Sequence, residues 1–329
     1  MLVKAMAYSA SALLFVFSMS GAGWASVNAR IGYLSRSVSF GPLWVAKETG
    51  IFARNGIVAD IIYVQPAILT QAMLAGELSL AASGGSTMIE ANLRGADFVI
   101  LGSWLKSPGL NYLITRKEIT RPEQLKGKRF GISRLGAAPH RILQLTVAKL
   151  GMDPNKDVSF LQIGNPAVVA AAIQTGRVDA GLGDVETAYA AGKLGLSVLL
   201  EVRDLGIEYL TLDLVTKRSV IEKNEETVRA FMKSIVEGIH YFITKPEPTM
   251  AILARYTGQD LSVVKLGYDY YAKGGLQPKP YISIPGVKAV LEHISQTNPK
   301  AKEARPEQFY DSKYVRELDQ SGFIDNLYK

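Results

Sequence analysis

The chain has 329 residues, 48% of them hydrophobic and 20% charged, with no cysteine and a formal net charge of +7. It can bury a substantial core, in one large domain or two, and it excludes a disulfide framework and a thiol nucleophile. The cations are dispersed, the densest cluster being "KGKR" at 126–129, so the basic stripe that a nucleic-acid partner would need is missing; the mild excess favours anionic solutes.

At the start, Lys4 precedes an uncharged stretch from Ala5 to Ala29 that includes the apolar "ASALLFVFSMS" and the small-residue segment "GAGWAS". This layout predicts a secretory signal peptide over residues 1–25, cut after Ala25, with Gly23 and Ala25 at the small-residue positions. The alternative, an uncleaved anchor, has an apolar run nearer ten residues than the roughly twenty a bilayer requires. Loss of Lys4 leaves +6. Without a cysteine for lipid attachment, the exported protein is expected free in a periplasm.

From Arg30, strand-length apolar runs alternate with helical patterns. "RIGYL", "IVADIIYV", "LSLAA", "DFVILGSW" and "LNYLITR" read as strands; the segments that begin at Pro42, Ala67 and Ser86 read as helices closed by Gly50, Gly76 and Gly95. After the turn-rich "EITRPEQLKGK" the alternation restarts with "RFGIS", a helix from Pro139 to Leu150, "DVSFLQI", a helix ending at Thr175, "VDAGL", a helix from Val185, "LSVLLEV" and "YLTLDLVT". Such alternation predicts βαβ units and largely parallel sheets.

The two stretches repeat each other. "AMLAGELSLAASGG" from Ala72 is answered by "AIQTGRVDAGLGDVE" from Ala172, and "RIGYLSR" at Arg30 by "RFGISR" at Arg129. Matches at nearly constant offset, on elements of the same type, predict two lobes of like design, each supplying one wall of a cleft. Beyond Asn224, a helix cap, the remainder reads as helices that complete the first lobe.

No catalytic constellation is legible. His140, His240 and His293 lack metal-ligand spacing, "GISRLGAA" lacks the Lys-Ser/Thr of a phosphate loop, and no G-x-S-x-G elbow occurs. Neither a metal nor a cofactor is implied. Strand-to-helix loops rich in Ser and Gly are present, and in open α/β sheets ligands lie beyond the carboxyl ends of strands, against helix N-termini.

At "PLWVAKETGIFARNGI" (Pro42 to Ile57) the chain resembles the periplasmic solute-binding proteins of ABC importers in the nitrate, taurine, alkanesulfonate and pyrimidine-precursor group. The similarity continues through "AMLAGELSLAASGG", "LKGKRFGIS", "GMDPNKDVSFLQIG" and "AAIQTGRVDAGLGD". The resemblance implies an α/β, two-lobed binding-protein fold of type II, with two doubly wound sheets joined by crossings near 116–125 and 210–217. Lobe one would comprise 26–116 and 217–329, and lobe two 117–216.

It also implies a monomer that binds a small-molecule solute and delivers it to an ABC permease. Ligand contacts would come from four loops: Ser35, Arg36, Ser37, Ser39 and Phe40; Ser83, Gly84, Gly85 and Ser86; Ser133, Arg134, Gly136 and Ala137; and Asp184 with Glu186, joined by Asp213. Arg36 and Arg134 suit a carboxylate or sulfonate, whereas the acidic residues suit an amine or ring N–H, or pair with those arginines. Phe40, Trp44, Trp104 and Tyr209 are candidates to stack on a flat solute, Trp44 being the most core-like. The sulfonate binders carry Gly-Ser where this chain has Gly136-Ala137, a departure from plain sulfonate recognition. The alternatives are an exported enzyme on the same scaffold and a ligand-presenting subunit of a sensor or lipid-trafficking complex.

Overall fold

The structure is a computed structural model that describes residues 26–106 and 112–329. The expected signal segment lies outside the described residues. Two five-stranded mixed sheets form the framework, in the orders β2-β1-β3-β10-β4 and β7-β6-β8-β5-β9. The first contains β1 (Val27–Tyr33), β2 (Ile57–Tyr63), β3 (Leu80–Ser83), β4 (Phe98–Gly102) and β10 (Asp213–Lys217). The second contains β5 (Tyr112–Arg116), β6 (Arg129–Ile132), β7 (Ser159–Gln162), β8 (Ala180–Gly183) and β9 (Leu196–Glu201).

In each sheet four strands run in one direction and the fifth runs antiparallel between its two neighbours: β10 between β3 and β4, β5 between β8 and β9. These two strands correct the expected crossings. β5, placed with the first lobe on sequence, is hydrogen-bonded into the second sheet; β10, placed almost wholly with the second, pairs in the first. Both are only five residues long, with buried central residues, and nothing local tells a chain which sheet to join. The chain therefore crosses between Gly102 and Tyr112 and again between Glu201 and Asp213, one strand earlier than expected at the first crossing.

The repeated sequences occupy equivalent places, β1 and β3 matching β6 and β8. Gly76 and Gly176 both take left-handed backbone, φ +78° and +72°, at the stop of the preceding helix. Gly32 of β1 lies so close to Leu78 that a Cβ would sit 2.7 Å from its Cδ1; Gly131 of β6 has the same relation to Val178, at 3.2 Å. The repeat thus encodes one packing unit twice: a strand glycine that admits the apolar residue two positions after the helix stop.

The helix Glu225–Thr244 lays Phe231, Met232, Ile235, Ile239 and Phe242 against the first lobe, and the Asn224 side chain accepts from Thr227 N–H at its start. The C-terminal helices do not stay on that lobe, as the sequence pattern suggests they would. The helix Leu261–Tyr270 also packs on Val185–Lys193 of the second lobe, where Tyr270 meets Tyr112 at 6.1 Å between ring centroids and carries the Arg203 guanidinium at 5.1 Å. A continuous apolar cluster joins the lobes from Met88 and Phe98 through Ile207 and Leu210 to Phe130 and Ile142. Among the described residues no helix is long and apolar enough to cross a membrane.

Candidate functional site

The carboxyl ends of β1, β3, β6 and β8 all lead into the loops singled out on sequence, and the two sets face each other. Where parallel strands end, the following helices present unpaired N–H groups, so each loop must find acceptors. In this chain most are its own carboxylates.

In the first loop, Ser37 caps the turn Val38–Phe40, its Oγ accepting from Ser39 N–H at 3.4 Å and from the Ser39 hydroxyl at 3.2 Å. The Val38 N–H donates to Glu186 Oε1 at 3.0 Å, and the Ser37 hydroxyl donates to the same oxygen at 3.3 Å. These bonds cross from the first lobe to the second. Ser35 is half-buried at the start of this loop, and Arg36 is exposed, its guanidinium 5.5 Å from the Tyr63 ring centre on the edge strand.

In the second loop, Gly84 and Gly85 open the helix Gly85–Asn92, and Asp213 Oδ2 accepts from Gly85 N–H at 2.9 Å. A Cβ on Gly85 would stand 2.8 Å from that oxygen, so glycine is what lets the carboxylate reach the backbone. Ser83 lies opposite Asp213 in the ladder, and Ser86 is buried one residue into the helix. Asp213 is 2% exposed, and burial pushes its carboxyl up to about 7 against the opposing hydrogen bonds of Gly85 and Ser103.

The third loop, Ser133 to Ala137, turns through Gly136 at φ +78°; the Gly136 N–H donates to Nδ1 of His140, which burial lowers to about 4. That histidine is neutral and structural. Ala137 brings no side-chain cap to the helix Ala138–Lys149, and Arg134 is exposed. In the fourth loop Asp184 caps the helix Val185–Lys193, accepting from Thr187 N–H at 2.9 Å and from its hydroxyl at 2.5 Å. Burial raises the carboxyls of both Asp184 and Glu186, and for Glu186 the neighbouring Asp184 charge adds to it. No ion pair among the described residues joins Asp184, Glu186 or Asp213 to Arg36 or Arg134.

A cavity of about 110 Å³ lies between the lobes beside these loops. Ser86, Thr87 and Glu90 of the first lobe form one wall, and Arg134, Gly136 and Arg141 of the second form the other. Tyr209 from the returning crossing and His293 close it. Arg141 donates to Gln144 Oε1 at 2.8 Å, while its Nε is buried with no partner among the described residues; burial lowers its guanidinium. The cavity offers two guanidinium groups and two hydroxyls to a small anion, with a phenol ring alongside.

Thus the structure gathers Ser86, Arg134 and Gly136 in the cavity, joins Ser37 to Glu186 at a separate contact between the lobes, keeps Ser39 and Asp184 in local caps beside that contact, and leaves Arg36 exposed against Tyr63. Phe40 and Trp44 are core residues, Trp44 lying flat on Tyr256 at 4.8 Å. Trp104 is also buried, its Nε1–H donating to Ser39 O at 2.9 Å, so of the aromatic candidates Tyr209 alone lines the cavity. Thr87, Glu90, Arg141 and His293 were not legible as site residues: Arg141 is two residues past Pro139 inside a helix, and His293 is far along the chain. A larger depression of about 650 Å³, with Arg54, Arg229 and Lys233 around it, sits at the opposite rim where β2 begins.

Among the described residues no group of three or more His, Asp or Glu is placed to hold a metal ion. The family model described as NMT1/THI5 like matches residues 37–249. The taurine-binding periplasmic protein of Escherichia coli is 26% identical over 226 residues, 68% of each chain. The formylaminopyrimidine-binding protein of Halalkalibacterium halodurans is 27% identical over 226 residues, 66% of each chain. Among solved structures, the alkanesulfonate-binding protein SsuA of Xanthomonas axonopodis pv. citri bound to MOPS superposes with a TM-score of 0.67 at 20% identity, covering 85% of this chain and 95% of its own.

Proposed function

Because the chain belongs to the NMT1/THI5-like family, we propose that it is the substrate-binding component of an ABC importer. It holds a small organic anion or nitrogen heterocycle between its lobes and hands it to a membrane permease. The observation that carries this function is the interlobe cavity, in which Ser86 and Thr87 at one helix start face Arg134 and Arg141. A guanidinium pair opposite hydroxyls binds an anionic head by charge-assisted hydrogen bonds, and Tyr209 can lie along an adjoining flat or apolar part.

The protein is an exported periplasmic monomer, with residues 1–25 as its leader. Its lobes are the two sheets with their helices, and the two crossings act as the hinge. Binding energy at micromolar affinity, about 8 kcal/mol, suffices to bias the lobes toward closure and so signal occupancy to the permease. The cleft takes a solute in and releases it unchanged.

Native mass spectrometry of protein purified without refolding tests this directly. A retained small molecule is expected; added back to stripped protein, it should raise the melting temperature and reduce the radius of gyration. No retained solute, and no compaction with any taurine-, sulfonate-, nitrate- or pyrimidine-type compound, would end the receptor interpretation.

A further inference from the structure

One buried group at the contact between the lobes has an oxygen whose hydrogen-bonding capacity is unused. Glu186 is 5% exposed. Its Oε1 takes both donors from the first lobe, the Val38 N–H and the Ser37 hydroxyl. Its Oε2 is buried with no partner among the described residues. Asp184, two residues earlier, uses its Oδ1 to accept from Thr187, and no hydrogen bond joins it to Glu186. No lysine or arginine among the described residues lies within ion-pair distance of either acid. A carboxylate oxygen withdrawn from water without a donor is unfavourable, and protein interiors rarely leave one so.

We propose that Glu186 selects the solute: the Val38 amide and the Ser37 hydroxyl fix its Oε1, and its Oε2 accepts a hydrogen bond from an amine or ring N–H of the bound molecule. This rests on the receptor function above and specifies its substrate class, a small molecule with an N–H donor at this end. Any anionic group is directed to Arg134 and Arg141.

Two features exclude an anion beside Glu186. The Val38 N–H, the donor that an anion would need from this loop, is already used by Oε1. Burial already holds both carboxyls up, Asp184 adding to the effect at Glu186, and a further anion beside them would raise them more. The hydroxyl of Tyr271, 1% exposed, is also held up, by burial first and then by its nearness to Glu186 and Asp184. An ammonium or ring N–H at Oε2 meets the unpaired oxygen and favours its ionised form. A sulfonate, phosphate or nitrate does neither.

The test is calorimetry on the whole protein with matched pairs that differ by one amino or ammonium group: taurine against ethanesulfonate, β-alanine against propionate, and 4-aminopyrimidine against pyrimidine. In the wild-type protein at least one N–H member should bind about tenfold or more tighter than its partner. Glu186→Gln keeps the shape and an acceptor for Val38 while turning its amide N–H₂ toward the solute, so the preference should vanish or invert. Glu186→Ala should lose the N–H member's advantage, with circular dichroism confirming that both variants fold. An unchanged preference in Glu186→Gln, equal binding of both members in the wild type, or no binding by any pair at about 10 mM would overturn the selector role. Failure of the receptor function is seen separately, in the wild type alone, as absence of both retained solute and compaction.

Discussion

Glu186 of the second lobe accepts the backbone N–H of Val38 in the first at 3.0 Å, across 148 residues of sequence. The bond ties the start of one lobe's first helical turn to the first turn of a helix in the other. Its partners move apart if the lobes do. In the unliganded protein, Glu186→Ala should therefore reduce hydrogen-exchange protection of the Val38 amide by about tenfold or more. It should also enlarge the radius of gyration. Unchanged protection would mean that the lobes are held together without this bond.

The two arginines of the cavity and the arginine on the rim should behave differently. Arg134→Ala and Arg141→Ala each remove a charged donor from the anion end and should weaken the retained solute by about tenfold or more, since hydrogen bonds to charged groups are worth roughly 1.5–3 kcal/mol. Arg36→Ala removes an exposed side chain resting on Tyr63 and should change affinity by less than about twofold. Isothermal titration of the three variants gives the comparison; a large loss for Arg36→Ala would relocate the anion end.

Gly85 is fixed by space rather than by backbone angle. Its Cβ would meet Asp213 Oδ2 at 2.8 Å and Ile100 Cδ1 at 2.9 Å, both in the packed interior. Gly85→Ala should cost about 1–3 kcal/mol in chemical denaturation, the usual penalty of overpacking, and should weaken solute binding because Ser86 follows directly.

Asp213 makes stability depend on pH. Its folded carboxyl titrates at about 7, above the unfolded value, so between about pH 4 and pH 7 the folded state binds the extra proton. Stability from this group is then fully present below the unfolded value and falls as pH rises through the folded one, by about 4 kcal/mol in all. Asp213→Asn keeps an acceptor for Gly85 N–H and removes the titration. Its advantage over the wild type should grow from pH 5 to pH 8; parallel urea-denaturation curves across that range would show that Asp213 is not the source.

The repeated packing unit can be probed in both lobes. Gly32→Ala and Gly131→Ala each drive a methyl toward the apolar residue after the helix stop, Leu78 or Val178. Each should destabilise by about 1–3 kcal/mol. Gly32→Ala should cost the more, its contact being 2.7 Å against a nearest approach of 3.0 Å, to Val169, at Gly131.

Much of this protein is local information. The glycine stops at Gly76 and Gly176, the Asn224 cap, the strand glycines and the serine-glycine loops are short-range requirements of backbone geometry and capping, so they stand in the sequence and recur in the repeat. The family pattern from Pro42 onward, the α/β class and the loops near the cleft follow from them. Other features depend on distant chain segments. β5 and β10 exchange sheets because hydrogen-bonding edges, not their own residues, decide where they pair. Arg141 enters the cavity from inside a helix, and Arg36, a better candidate by its loop position, rests on Tyr63 instead. Above all, the sequence offers Glu186 as one acidic residue in a solvated-looking loop. Only the apposition of the two lobes removes it from water, pairs one of its oxygens with Val38 and leaves the other without a donor among the described residues, because desolvation is a property of what packs around a group and not of the group itself.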